Sequence, residues 1–158
     1  MKKLKIEIKW AIIFALMMLV WMLLERLFGL HDTYIAKHPI FTNFVAIPAV
    51  AIYVLALLDK RDNFYEGKMT YVQGLACGLI ITLIVTILSP LTQVITSLVI
   101  TPHYFENAID YAVSEGKMTQ SGAEEYFNLK SYIFQGLVGA PVMGLLTSIV
   151  VAFFTRKK

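Results

Sequence analysis

The chain reads as an all-α polytopic membrane protein with four spanning helices, and three observations predict this. It carries four apolar runs of spanning length, and about 18 such residues suffice to mark a spanning helix. Hydrophobic residues make up 58% of its 158 residues and charged ones only 16%, against about 25% charged in ordinary soluble domains. A soluble chain this short lacks the interior volume to hide that much apolar surface. Finally, the basic residues cluster at the ends of the apolar runs, where they report topology and form no nucleic-acid stripe.

The expected spans are residues 10–28, 39–58, 71–100 and 133–154, within a single membrane domain of residues 1–158. Met1-Lys2-Lys3 followed by an apolar run resembles a signal sequence. Leu24-Glu25-Arg26-Leu27 stands where a small-x-small cleavage site would fall, so the segment is expected to stay as an uncleaved anchor. Ten basic residues flank one side: Lys2, Lys3, Lys5, Lys9, Lys60, Arg61, Lys68, Arg156, Lys157 and Lys158. Four flank the other, Arg26, Lys37, Lys117 and Lys130. The positive-inside rule then places both termini in the cytoplasm, and the expected location is the cytoplasmic (inner) membrane.

Thr70 with Gln73 fits a capping box at the start of span three. A helix over residues 71–100 would reach about 45 Å at 1.5 Å per residue, against a hydrocarbon core of about 30 Å. It must tilt, protrude or bend, and Pro90 is the natural place for a bend. Residues 101–132 are expected to form an extracytoplasmic helical hairpin. In its first helix Thr101 is the cap, Pro102 the first position and Gly116 the stop. In its second, Ser121 and Glu124 form a capping box, and that helix runs on into span four.

Small residues recur at every fourth position of span four, at Gly136, Ala140, Gly144, Ser148 and Ala152, and span three begins with Gly74, Gly78, Thr82 and Thr86. Such stripes let helix backbones approach closely, within one chain or between two copies. Farther along span three, Thr82, Thr86, Ser89, Gln93 and Thr96-Ser97 share a face. Either this face lines a pocket or solute path, or its hydroxyls bond back to the preceding turn while the face packs on a neighbour.

Ionisable residues inside a span are costly and face the bundle interior or a wet cavity. Glu25 and Arg26 lie at roughly the depth of Asn43, Ser89 and Gln93, so these five are the candidate ligand-binding residues. Alternatively, Glu25 and Arg26 simply reach up to the interface. Of His31, His38 and His103, the last shares a helix face with Glu106 and Asp110. That spacing matches no established site, and no metal site is expected. Cys77 is the single cysteine, which excludes an intrachain disulfide. Lys68 after Gly67 lacks the remainder of a phosphate loop, and no hydrolase or metalloprotease motif occurs. No catalytic residue and no cofactor is implied.

The segment Glu66-Gly67-Lys68-Met69-Thr70-Tyr71, followed by Gly74 and Gly78, resembles the start of span three, G-K-(I/M)-(T/S)-(F/Y), in a bacterial membrane family known as domain of unknown function 4199. The acidic helical loop, the Gly-rich last span and the terminal Arg156-Lys157-Lys158 agree with it. The resemblance is clearest from about Asp59 onward. It implies four spans, a short cytoplasmic loop and a long external one, and it brings no activity or catalytic residue. The sequence therefore points to a non-enzymatic membrane protein that binds lipid, another membrane protein or itself. A transporter or channel component with a polar path along span three is the alternative.

Overall fold

The computed structural model describes residues 4–157, so the topology residues Lys2, Lys3 and Lys158 lie outside the described residues. The architecture is helical, and among the described residues the only β-type pairing is an isolated bridge between Met69 and Lys157. Helix α1 covers Lys5–Leu27. A short turn, α2 at His38–Phe41, and a 3-10 segment at Thr42–Val45 lead into α3, Ala46–Asn63. Helix α4 covers Tyr71–Ile95 and continues as a π-type turn over Thr96–Ile100. Two shorter helices follow, α5 at Tyr104–Ser114 and α6 at Gln120–Tyr126, before the long α7, Leu129–Thr155.

Four stretches are long and apolar enough to cross a bilayer: Lys5–Leu27, Ile35–Asn63, Tyr71–Ile100 and Leu129–Thr155. Their outward faces are apolar, as with Leu16, Ile87 and Phe154. That exposure is unfavourable in water and ordinary against lipid.

Local chemistry sets the helix ends. Thr70 and Gln73 form a reciprocal capping box at the start of α4, the Thr70 side chain accepting from Gln73 N–H and the Gln73 side chain accepting from Thr70 N–H. The end of α1 is a Schellman turn. Gly29 sits at φ +72° and donates to the Arg26 carbonyl, and Leu30 N–H donates to that of Glu25. This turn folds the next segment back against the last turn of α1.

Several expected boundaries differ. The Thr101 hydroxyl donates to the Thr96 carbonyl, and α5 begins at Tyr104 with no side-chain cap. The cap of α6 is Thr119, whose hydroxyl accepts from Gly122 N–H, so Ser121 and Glu124 form no capping box. Helix α6 does not run into α7. Asn128 adopts an extended conformation between them and caps α7 by accepting from Ser131 N–H. Helix α4 passes through Pro90 to Ile95, and its irregular turn falls later, at Thr96–Ile100.

Helix α4 packs most extensively on α7 and also meets α1, while α3 bridges α1 and α7. The α4–α7 seam is built on missing side chains. A Cβ at Gly78 would lie 2.5 Å from Ser148 Oγ, one at Gly144 would lie 2.4 Å from Thr82 Oγ1, and one at Gly74 would lie 3.3 Å from Ala152 Cβ. The buried core, with Tyr53, Leu57, Met69, Cys77 and Ile81, occupies the half of the bundle nearest the chain termini.

At that same end charged groups are paired. Lys60 Nζ lies 2.9 Å from Glu7 Oε1, both residues buried, and also stands 3.7 Å from the Phe64 ring centroid. Asp59 accepts from Lys9 and, at 2.6 Å, from the Trp10 indole. Breaking such a buried pair from one side leaves an uncompensated charge, so these contacts tie α1 firmly to α3. The Met69–Lys157 bridge and the Arg61 guanidinium, which donates to the Thr155 carbonyl, fasten the end of α7.

The seam makes a double-mutant prediction. Gly78→Ala should destabilise the bundle by about 1–3 kcal/mol through overpacking. Adding Ser148→Gly, which removes the Oγ and Cβ in the way, should recover much of that loss. Unfolding in mixed micelles, followed by helical circular dichroism, measures both; strictly additive effects would contradict the close approach.

Candidate functional site

Away from the termini the four long helices line a partly open cavity of about 500 Å3. Its floor includes Tyr53, whose hydroxyl oxygen lies 2.8 Å from that of Thr82 beneath it. The Thr82 hydroxyl donates to the Gly78 carbonyl, so Tyr53 is the donor to Thr82. The walls are largely apolar, with Met18 and Met22 of α1, Val50 of α3 and Met143 of α7, and with Gly136, Gly139 and Ala140 leaving open space on α7.

The polar wall comes from α4. The Thr86 hydroxyl donates to the Thr82 carbonyl, and the Thr92 hydroxyl to that of Ser89. Pro90 has no N–H to offer the carbonyl four residues back, and Ser89 supplies the missing donor with a 2.9 Å hydroxyl bond to Thr86 O. Gln93 donates its amide to Ser97 Oγ at 2.9 Å, and Asn43 donates to the Pro39 carbonyl. The hydroxyl hydrogens of Ser89 and Thr92 and one amide hydrogen each of Gln93 and Asn43 are thus directed to neighbours within the chain, while their oxygens remain available as acceptors.

A second constellation sits at the same end of the bundle, on the other side of α1. Glu25 is buried, and its Oε1 accepts from the Trp21 indole at 2.6 Å. Its Oε2 lies 3.1 Å from His31 Nε2 and 3.2 Å from His38 Nε2. His31 is buried, and its Nδ1 has no hydrogen-bond partner. His38 Nδ1 faces the Tyr104 hydroxyl at 3.4 Å, and Tyr104 in turn meets the Tyr132 hydroxyl at 3.2 Å. Burial pushes the Tyr104 phenol above its usual range, which keeps it protonated and able to donate. Helix α5 is held there by Asn107, whose amide donates to the His31 carbonyl. Glu25 also lines an aromatic cavity of about 400 Å3 shared with Trp21, Phe28, Phe41 and Phe44.

The five sequence candidates therefore separate. Asn43, Ser89 and Gln93 share the central cavity with Gly136, Ala140 and Gly144. Glu25 faces the histidines, and Arg26 turns away to donate to the Ile100 carbonyl. Gly74, Gly78 and Ser148 lie in the α4–α7 seam below the cavity. His103 lies 3.5 Å from Glu106, both exposed, and among the described residues the group of metal-capable side chains that converges is Glu25, His31 and His38. Sequence reading overlooked His31 and His38 as partners of Glu25. The available signal was Gly29 just past the end of α1, because a left-handed cap folds the following residues onto the last helical turn.

Fold and site together define a helical protein with four membrane-spanning candidates and an internal cavity. The chain belongs to the family described as protein of unknown function (DUF4199), whose model matches residues 9–157. No curated protein and no solved structure matches the chain.

The proline–serine device in the cavity wall can be tested by itself. Ser89→Ala should cost about 1 kcal/mol by leaving the Thr86 carbonyl short of a donor. The same change in a P90A background should cost little, because the restored N–H takes over. Equal costs in the two backgrounds, measured by micellar unfolding, would refute the compensation.

Proposed function

We propose that the protein is a non-enzymatic membrane component that binds a neutral, lipid-like molecule in the cavity between α1, α3, α4 and α7. The observation that carries this reading is the match of volume and chemistry in that cavity. About 500 Å3 falls within the roughly 300–1,000 Å3 typical of small-molecule sites. No charged residue lines it, so an ion or a strongly charged headgroup finds no partner. The oxygens of Gln93, Asn43 and the hydroxyls, with the second amide hydrogens of Gln93 and Asn43, favour a ligand with a long apolar body and one polar group, such as a hydroxyl. Met18, Met22 and Met143 supply adaptable apolar walls.

Binding fits better than conduction along α4. The hydroxyls of Thr82, Thr86, Ser89 and Thr92 bond back to the helix itself, and the Tyr53–Thr82 pair with the core below it closes the cavity toward the terminal end. Assembly on the small-residue stripe of α7 is disfavoured because Gly144, Ser148 and Ala152 already meet α4 of the same chain. We place the cavity toward the extracytoplasmic side of a cytoplasmic membrane, with both termini inside, on the distribution of basic residues.

Gly139→Phe is the most direct test, because Gly139 lines the cavity and a Cβ there meets nothing within 4 Å, so the ring is expected to occupy the ligand's space. Native mass spectrometry of the wild-type protein, released gently from its own membrane, should show one retained neutral lipid per chain, and G139F should lose it while keeping its helical content. Gln93→Leu should weaken retention about tenfold, the equivalent of one hydrogen bond. Equal retention by wild type and G139F would overturn the assignment.

A further inference from the structure

The cluster of Glu25, His31 and His38 shares no residue with the central cavity and asks for its own account. We propose that these three side chains form a binding site for a zinc-type divalent cation, with Glu25 Oε2 and the two histidine Nε2 atoms as ligands and a fourth position open.

The first support is geometric. Tetrahedral bonds of about 2.0–2.1 Å hold neighbouring ligand atoms about 3.3 Å apart. Glu25 Oε2 already lies 3.1 Å from His31 Nε2 and 3.2 Å from His38 Nε2, and one ligand atom from each residue falls within 4.8 Å of the others. Small rotations of the two rings bring three such atoms around one ion.

The second support is the donor set and what surrounds it. Two histidines and one carboxylate form a known zinc donor set, one that leaves a position for water or another ligand. Metal-binding carboxylates and imidazoles are normally oriented by outer hydrogen bonds. Trp21 holds Oε1 and leaves Oε2 directed at the histidines. The Tyr104 oxygen faces His38 Nδ1, where it can accept that N–H and release the Nε2 lone pair, and Tyr104 then donates to Tyr132.

The third support is the burial of the carboxylate itself. Glu25 is a buried carboxylate flanked by two imidazoles, and buried carboxylates are paired or bind metal. Its sequence neighbour Arg26 is engaged with the Ile100 carbonyl.

The test uses the full chain in lipid nanodiscs, stripped with a chelator and titrated with Zn2+ against a chromophoric competitor. One Zn2+ per chain is expected, and Co2+ in its place should give the intense visible absorption of a four-coordinate site. His31→Asn or His38→Gln should weaken Zn2+ binding more than about 100-fold, beyond the range typical of outer partners, while His103→Gln should change nothing. His38 is less buried than His31, so H38Q provides a reading if H31N fails to fold. A wild-type chain that takes up no stoichiometric Zn2+, or that loses it equally in H103Q, overturns the proposal. Lipid retention in G139F is read separately, so the failure of either proposal leaves the other intact.

Discussion

The close approach of α4 and α7 is the contact on which the remaining structure depends. In a bilayer, helices gain little from burying apolar surface against each other, because lipid is equally apolar, so association rests on contact and hydrogen bonding. Gly78 against Ser148 and Gly144 against Thr82 bring two backbones together where an added Cβ would fall inside van der Waals distance. That seam positions Thr82 for the Tyr53 hydroxyl, which brings α3 against the pair. Helix α1 then closes the bundle through the buried Glu7–Lys60 pair and the Asp59 contacts. A site on any of these helices inherits its geometry from the seam.

The same small residues play opposite parts along α7. At the terminal end Gly144, Ser148 and Ala152 are filled by α4. One to two turns farther, a Cβ at Gly139 would meet nothing within 4 Å, while one at Gly136 would still lie 3.6 Å from Ser89 Oγ, so the open space lies on the Gly139 side of α7. The cavity therefore sits above a dry, closed core. Its polar wall is largely self-satisfied, since unpaired donors in a low-dielectric interior are costly. Ser89 shows how closely this is controlled, its hydroxyl standing in for the N–H that Pro90 lacks.

Ionisable groups follow the same rule at both ends of the bundle. Near the termini, Glu7 meets Lys60 and Asp59 meets Lys9. At the opposite end, the partners of Glu25 are two histidines and an indole. Imidazoles differ from ammonium groups in being able to share their lone pairs with a cation. The chemistry of the two ends is thus unequal, and the end with the histidines also carries α5, whose Tyr104 and Asn107 complete the surroundings of the cluster.

Amino-acid order alone determined the helical class, the four apolar spans and the start of α4, because these depend on contiguous hydrophobicity and on residues a few positions apart, as with Thr70 and Gln73. The shorter helices were only partly legible. Thr119 in place of Ser121 caps α6, and Asn128 breaks the chain before α7, choices made among several eligible polar residues. Depth along a span was readable from counting, but the direction in which a side chain faces was not. Glu25 and Arg26 are adjacent on α1, yet one meets the histidines and the other the Ile100 carbonyl. Asn43, Ser89 and Gln93 come together from two helices, and His31 and His38 reach Glu25 only because Gly29 turns the chain back. Hydrophobic patterning records how far a residue lies along its helix, whereas the packing of helix on helix decides which neighbours it meets.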